Sequence, residues 1–358
     1  KTQLLNLPHV MFCQDLLHIP ALSLAERLAQ ISSSLGLKKV FFADSGSMSV
    51  EIAMKLAVQY WHSKGKCEKS RFIHFKNSYH GDSMGCMSVS DPSAIHGMAF
   101  SSYYKNQYLF PIPATKEEGE SLKREIMNIS HNVAGMIVEP ILQAAGGMIL
   151  HSPDVLNVLK RISEECKILF IADEVATGFY RTGTMFASQQ AGILPDIMTL
   201  GKALGGGLCP ISATIVTNDV AEPFVGDCGK FMHGNTFMAN PLSCVAANAS
   251  LDLFVSGQYE SKVLEIEKKM KRELKELSTL DYVHNVRIKG AVAALNVAHE
   301  YVEKFVMNLS KKLYDLGIWL RPIKDVVYLM PPLVISDDEL SILLAAFKRL
   351  IYSIVDER

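Results

Sequence analysis

Short unbroken apolar runs alternate with amphipathic stretches from residue 38 to about 216. Lys38 to Ala43, Arg71 to Phe75, Ala134 to Glu139, Ile168 to Ala172, Asp196 to Leu200 and Ile211 to Val216 are of strand length. Such runs predict strands covered on both faces, as in a parallel sheet. Helical patterns separate them. Leu24, Leu28, Ile31 and Leu35 form one stripe, opened by a Ser23–Glu26 capping box and ended by Gly36. Val50, Met54, Ala57, Val58 and Trp61 form another, and Glu117 to Ile129 reads as a third helix. Ser152-Pro153 opens a fourth, with Val155, Val158, Leu159, Ile162 and Cys166 on its apolar face. The alternation predicts an α/β fold with a mainly parallel central sheet.

Elsewhere the texture differs. Residues 1–20 read as an irregular connecting segment with Pro8 and Pro20 as breakers. Phe231 to Leu242 is a loop entering a small-residue helix, 242–254. Past Ser256-Gly257 charged residues rise, and Val263, Ile266, Met270, Leu274 and Leu277 stripe a long helix. Short strands near Val283–Lys289 and Ala291–Val297 precede a helix carrying Val302, Phe305, Leu309, Leu313 and Leu316, and Val326–Met330 leads into Pro331-Pro332. Ser336 and Glu339 open the last helix as a capping box. The predicted division is a segment 1–20, a large domain over 21–254 and a smaller α+β domain over 255–358.

Composition narrows the function classes. The 358 residues, 49% hydrophobic, support a sizeable core. Basic and acidic residues number 36 and 37, for a formal net charge of −1, which argues against nucleic acid or an anionic membrane as partner. No apolar run is long enough to span a bilayer. Seven scattered cysteines without a CxxC suit a reducing cytosol. The 11 histidines form no HExxH or closely paired metal pattern.

Candidate chemistry centres on Ile168 to Gly207. One run ends in Asp173, and the next ends in Gly201-Lys202. In open parallel sheets ligands lie at the carboxyl ends of strands, so this acid and this amine can face one site. A lysine amine forms a Schiff base with a carbonyl cofactor. Pyridoxal phosphate uses such a lysine, together with an acid paired to its pyridine nitrogen. A carboxylate beside that nitrogen favours the cationic ring. An ordinary buried ion pair would use the same two residues. Asp44-Ser45-Gly46-Ser47 feeds a helix N-terminus, which is an anion site or simply a cap. Tyr79 and His80 sit beyond a strand end, where a ring can stack on a flat ligand or pack on its own domain.

Several motifs occur in a fixed order: Asp44-Ser-Gly-Ser47, Tyr79-His-Gly-Asp82, Val138-Glu-Pro140, Asp173-Glu-Val175, Leu200-Gly-Lys-Ala203 and His233-Gly-Asn-Thr-Phe237. Together they resemble the class III, fold-type I, pyridoxal-phosphate-dependent aminotransferases, over nearly all residues from about 9 to 355. The resemblance implies a large domain with a mainly parallel sheet and a smaller C-terminal domain. It implies that Lys202 is the Schiff-base lysine and proton shuttle, and that Asp173 holds the pyridinium nitrogen. Gly46 and Ser47 would bind the cofactor phosphate through backbone N–H groups. Tyr79 would pack on the ring and line the substrate site. Thr236, with Asn235 beside it, would reach the phosphate of the neighbouring subunit in a homodimer. Gly234 would border the substrate, and Arg321 resembles the arginine that clamps the acceptor's carboxylate.

Finer features are similar to the branch serving biotin synthesis: Ala176 where many relatives have glutamine, Met238-Ala-Asn-Pro-Leu242, Leu320-Arg-Pro322 and Tyr328-Leu-Met-Pro-Pro332. That branch implies ping-pong transamination in the cytoplasm, with S-adenosylmethionine as donor and 8-amino-7-oxononanoate as acceptor. Asn235 stands where the branch usually has proline, and Tyr180 where it has glycine, so both loops are expected to differ in shape. The alternative is a class III enzyme acting on ornithine, 4-aminobutyrate or a similar ω-amine. A nicotinamide dehydrogenase would need a G-x-G-x-x-G turn, which Gly205-Gly-Gly207 does not supply. A phosphate-loop nucleotidase would need serine or threonine where Ala203 stands.

Overall fold

The computed structural model describes residues 2–12, 16–93, 100–104, 107–225 and 229–354, without the side chains of 304–308 and 310–312. Phe305 of the predicted stripe therefore lies outside the described side chains. The strands are β1 (Leu37–Ala43), β2 (Arg71–Phe75), β3 (Tyr108–Phe110), β4 (Val133–Val138), β5 (Leu142–Gln143), β6 (Ile149–Leu150), β7 (Leu169–Asp173), β8 (Ile197–Leu200), β9 (Ser212–Thr217), β10 (Val283–Lys289), β11 (Val292–Val297) and β12 (Val326–Leu329).

Seven strands form the main sheet in the order β1-β9-β8-β7-β4-β2-β3. From β8 through β3 all neighbours run parallel, whereas β9 runs against both β1 and β8. β4 and β7 are buried along their whole length, the cause of their uninterrupted apolar sequences. Helix Gly46–Ser63 covers one face, packing Val50, Ala53, Ala57 and Trp61 on Ile137, Ile171 and Ile197. Helices Lys116–Ile129 and Pro153–Glu165 cover the other, packing Leu122, Ile126, Leu159 and Ile162 on Met136 and Phe170. Each large side chain such as Phe170 contributes about 1.5–3 kcal/mol by leaving water.

A second sheet, β10-β11-β12, is antiparallel. Helices Gln258–Leu274 and Asp337–Tyr352 pack with it. The last helix has both hydrogen bonds of the expected capping box, Glu339 N to Ser336 Oγ and Ser336 N to Glu339 Oε2.

Four expectations need correction. Residues 2–6 are helical, and the next helix begins at Ile19 rather than just after Ser23. Its cap is His18, whose Nδ1 accepts from Ala21 N while Nε2–H reaches Ala239 O. Pro20 therefore sits in the first helical turn, where a missing N–H costs nothing, and Ser23 instead bonds Asn248. That helix stops at Ile31, and a short 3-10 turn carries Leu35 to the left-handed Gly36. Neither β3 nor the β5–β6 hairpin stands out in the sequence, because both are too short to show a period.

Lys69 ties together the end of the sheet away from the cavity described below. Its ammonium donates to Ser130 O, Val133 O and Lys167 O at 2.7–3.0 Å and lies 4.4 Å from the Trp61 ring centroid. These carbonyls precede or open β4 and β7, so one cation fixes two strand entries. Replacing Lys69 by Met is expected to lower stability by about 2–4 kcal/mol, since buried carbonyls lose a charged donor. Urea unfolding measures this, and a loss within error of zero would mean that water replaces the ammonium.

Candidate active site

The carboxyl ends of β2, β4, β7 and β8 converge, as expected for a parallel sheet. A cavity of about 190 Å³ lies there, lined by Gly46, Ser47, Tyr79, His80, Glu139, Ala144, Ala145, Asp173, Val175 and Lys202 among others. Asp173 ends β7, and Lys202 follows β8 after Gly201. Both candidate chemical groups therefore line one cavity from neighbouring strands.

Asp173 is 4% exposed. A carboxylate that deep needs donors, and three elements supply them. His80 Nδ1 lies 2.6 Å from Oδ2, while Thr199 Oγ1 and Val175 N donate to Oδ1 at 2.9 and 3.1 Å. The sequence offered His80 only as a loop residue; that it partners Asp173 emerges from the fold. Glu174, the next residue, points into a different set of donors. It accepts from Thr177 Oγ1, Ala187 N, Ser188 N and Ser188 Oγ. Adjacent acids at a strand end thus have separate work: one borders the cavity, the other ties down the 177–188 loop.

Glu139, seen in the sequence only as part of a motif, is a second carboxyl on the cavity. It accepts from Tyr79 N and Ala144 N, both at 3.0 Å. Burial pushes its pKa up to about 7, opposed by His80 and by these two N–H groups. Tyr79 itself is half-buried, with Oη donating to Asp82 Oδ1 at 2.8 Å. Burial, then Asp82, raises the phenol's pKa, and the charge of Arg321 pulls the other way.

The helix entering at Gly46 has Ser45 as its N-cap. Ser45 Oγ accepts from Met48 N, and Ser45 O accepts from Ser49 N. The first-turn N–H groups of Gly46 and Ser47 have no intrahelical acceptor. With the helix dipole they form an anion site on the cavity wall. Close packing excludes side chains here. A Cβ on Gly46 would stand 2.7 Å from Val175 Cγ1, and one on Gly81 would stand 2.2 Å from Ser47 Oγ. Lys202 has φ +41°. A non-glycine residue in that region stores strain, of the kind that clusters at ligand clamps.

Other candidates stand apart from this cavity. Gly234 and Thr236 are exposed, and Asn235 donates to Asp44 Oδ2 at 3.2 Å. Arg321 is exposed and is not part of the cavity lining. Tyr180 takes φ +66°, backbone that glycine favours, and its ring stacks on Tyr259 with centroids 6.5 Å apart. A larger groove, about 790 Å³, runs along Val40, Phe41, Phe224 and Phe231, and among the described residues no carboxylate lines it. Among the described residues no cluster of His, Cys, Asp or Glu could hold a metal, and no helix is long and apolar enough to cross a membrane.

Comparison with known proteins identifies the family. Residues 1–351 match the family described as Aminotransferase class-III. The adenosylmethionine-8-amino-7-oxononanoate aminotransferase of Mycobacterium leprae is 38% identical over 344 residues, covering 95% of this chain and 78% of that protein. The enzyme of the same name from Buchnera aphidicola is 36% identical, over 94% and 79%. The crystal structure of that aminotransferase from Methanocaldococcus jannaschii superposes with a TM-score of 0.92 at 31% identity, over 98% of this chain and 83% of the other. An amine transaminase from an uncultivated Pseudomonas species, solved in its PLP-bound form, gives 0.92 at 27% identity, over 99% and 85%.

The Glu139 environment sets a pH dependence. Its folded-state pKa, about 7, lies above the ordinary 4.5. The folded state therefore holds this proton more tightly. The stability it adds is complete below about 4.5 and is lost as pH rises toward 7. Relative to Glu139→Gln, the wild-type protein is expected to lose up to about 1.4 kcal/mol per pH unit across that window. Parallel stability-versus-pH curves for the two proteins would contradict the assignment.

Proposed function

Since the chain belongs to the class III aminotransferases, we propose that it moves an amino group from S-adenosylmethionine to 8-amino-7-oxononanoate, yielding 7,8-diaminononanoate for biotin synthesis. The observation that carries this reading is the meeting of Asp173 and Lys202 in one cavity beside a helix N-terminus. The relatives named above supply the substrates.

Pyridoxal 5'-phosphate is the cofactor, and when bound it supplies the electron demand that loosens a proton on the carbon bearing the amine. The residues fit it. An ionised carboxylate has about four lone-pair sites. His80, Thr199 and Val175 use three of them on Asp173, leaving one for a pyridinium N–H. Gly46 and Ser47 offer free N–H groups to the phosphate. Tyr79 supplies a ring for stacking on a flat heterocycle. The Lys202 amine would be the group that holds the cofactor's carbonyl carbon. As a free amine, Lys202 would act as general base and then general acid toward the proton on the carbon bearing the donor amine. Closing a narrow cavity around these groups fixes their orientation.

Arg321 receives the acceptor's carboxylate in a charge-assisted pairing, close enough for its charge to act on Tyr79. Gly234 borders the substrate. Thr236, exposed in the single chain, reaches the phosphate of a second subunit in a homodimer, with Asn235 beside it. The enzyme works in the cytoplasm. The chain divides for this purpose into the connecting segment 1–20, a cofactor-binding domain 21–254 and a smaller domain 255–358.

Single-turnover half-reactions test the assignment. S-adenosylmethionine should convert the cofactor to its amine form, whereas ornithine and 4-aminobutyrate should not; the reverse would make this an ω-amine enzyme. Lys202→Ala should lower turnover by about 10²–10⁴-fold and abolish the cofactor adduct seen by mass spectrometry after borohydride reduction. Persistence of the adduct would remove Lys202 from its role. Arg321→Ala should cost the acceptor about 1.5–3 kcal/mol in kcat/KM, with the donor half-reaction spared. Equal losses in both would point to general damage.

A further inference from the structure

One wall of the cavity comes from the β5–β6 hairpin. Its turn, residues 144–148, carries Ala144 and Ala145 onto the cavity. The turn is held under tension. Gly147 has φ +128° and Met148 φ +53°, and the second of these is costly for a side chain with a Cβ. Gly146 is pressed so closely to the 77–79 loop that a Cβ would lie 1.7 Å from Asn77 O. Such a conformation persists only when its surroundings over-determine it.

The surroundings include Arg287, on β10 of the second sheet. Nε donates to Met148 O and Nη2 to Gly147 O, both at 2.6 Å. Nη1 donates to Asn285 O and Asn296 Oδ1, both at 2.7 Å. Four N–H bonds of the five in the guanidinium are thereby used. The side chain is a rigid planar fork, so it fixes direction as well as distance. The network continues. Asn296 Nδ2 donates to Asp325 Oδ2 at 2.7 Å, and Val297 N donates to Asp325 O at 2.8 Å. Asp325 closes the turn that follows Arg321 and leads into β12. Apolar contact runs alongside: Leu142, Ala144 and Met148 pack with Val292, Ala294 and Val326.

We infer that Arg287 is a positioning residue that couples the Arg321 segment to the cavity wall through Asn296 and Asp325. Engagement of a carboxylate-bearing substrate at Arg321 then depends on the same bonds that hold Ala144 and Ala145 in place. This rests on the proposed role of Arg321 and deepens it. Arg287 touches neither substrate nor cofactor. Its effect is to present the turn and the Arg321 segment to each other in one register.

A double-mutant cycle on the holoenzyme tests the coupling. Arg287→Met should raise acceptor KM about tenfold or more and leave the donor half-reaction within about threefold. Arg287→Lys, a point charge that cannot span both carbonyls, should fall between the two. Combined with Arg321→Ala, the acceptor losses should sum to less than the two single losses, because both variants break one connection. Additive losses, or equal losses in both half-reactions, overturn the coupling and leave Arg287 a structural residue. Should Arg287→Met fail to fold, Asn296→Ala, which removes the bonds to Arg287 Nη1 and Asp325 Oδ2 but leaves those from Arg287 to Gly147 O and Met148 O, enters the same cycle with the same criterion. If Arg321→Ala alone leaves acceptor KM unchanged, the role of Arg321 fails. That result is read without altering Arg287, so the two failures are distinguishable.

Discussion

A carboxylate removed from water at the end of an apolar strand must be given hydrogen-bond donors. Asp173 is in that position, and its donors come from the loop after β2, from β8 and from the backbone just beyond β7. The strand order that buries Asp173 is therefore the order that satisfies it. β7 lies between β4 and β8, with β2 one strand further on, so His80 arrives from one side and Thr199 from the other. The electrostatics of the cavity and the topology of the sheet are a single solution.

Around that acid the backbone approaches itself unusually closely. Gly46 and Gly201 come together so that a Cβ on Gly201 would lie 3.4 Å from Gly46 Cα. The helix N-terminus and the lysine-bearing turn thus meet without intervening side chains. This brings free N–H groups, the amine and the carboxylate around one narrow space, the arrangement a flat anionic cofactor requires. The left-handed backbone at Lys202 and at Met148 belongs to the same pattern. Strain at the cavity is maintained by well-packed surroundings: the sheet on one side, and on the other the second sheet acting through Arg287.

The second sheet does more than add core. β10 and β11 hold the 144–148 turn, and the segment before β12 carries Arg321. The exposed loop at 233–237 has the opposite character. Asn235 anchors it to Asp44, while Thr236 and Phe237 project outward. Phe237 nonetheless rests its ring on His9, with centroids 4.7 Å apart.

Much of this architecture is written locally. Buried strands announce themselves as apolar runs, and Asp173 and Lys202 can be placed at strand ends from those runs alone. The Ser336–Glu339 capping box formed as expected because its bonds join residues three apart. The Ser23–Glu26 pair did not, because His18 had an additional distant partner in Ala239, which set the helix start five residues earlier than Ser23's pattern suggested. The reversal of β9, the pairing of His80 with Asp173 across 93 residues and the reach of Arg287 to Met148 across 139 leave no periodic trace. Side-chain period and caps depend on neighbours within about one helical turn. The donors of a buried charge are chosen by whichever distant segment the packed sheet brings within 3 Å. The sequence thus determined which groups could react, and only the tertiary structure decided which residues hold them in place.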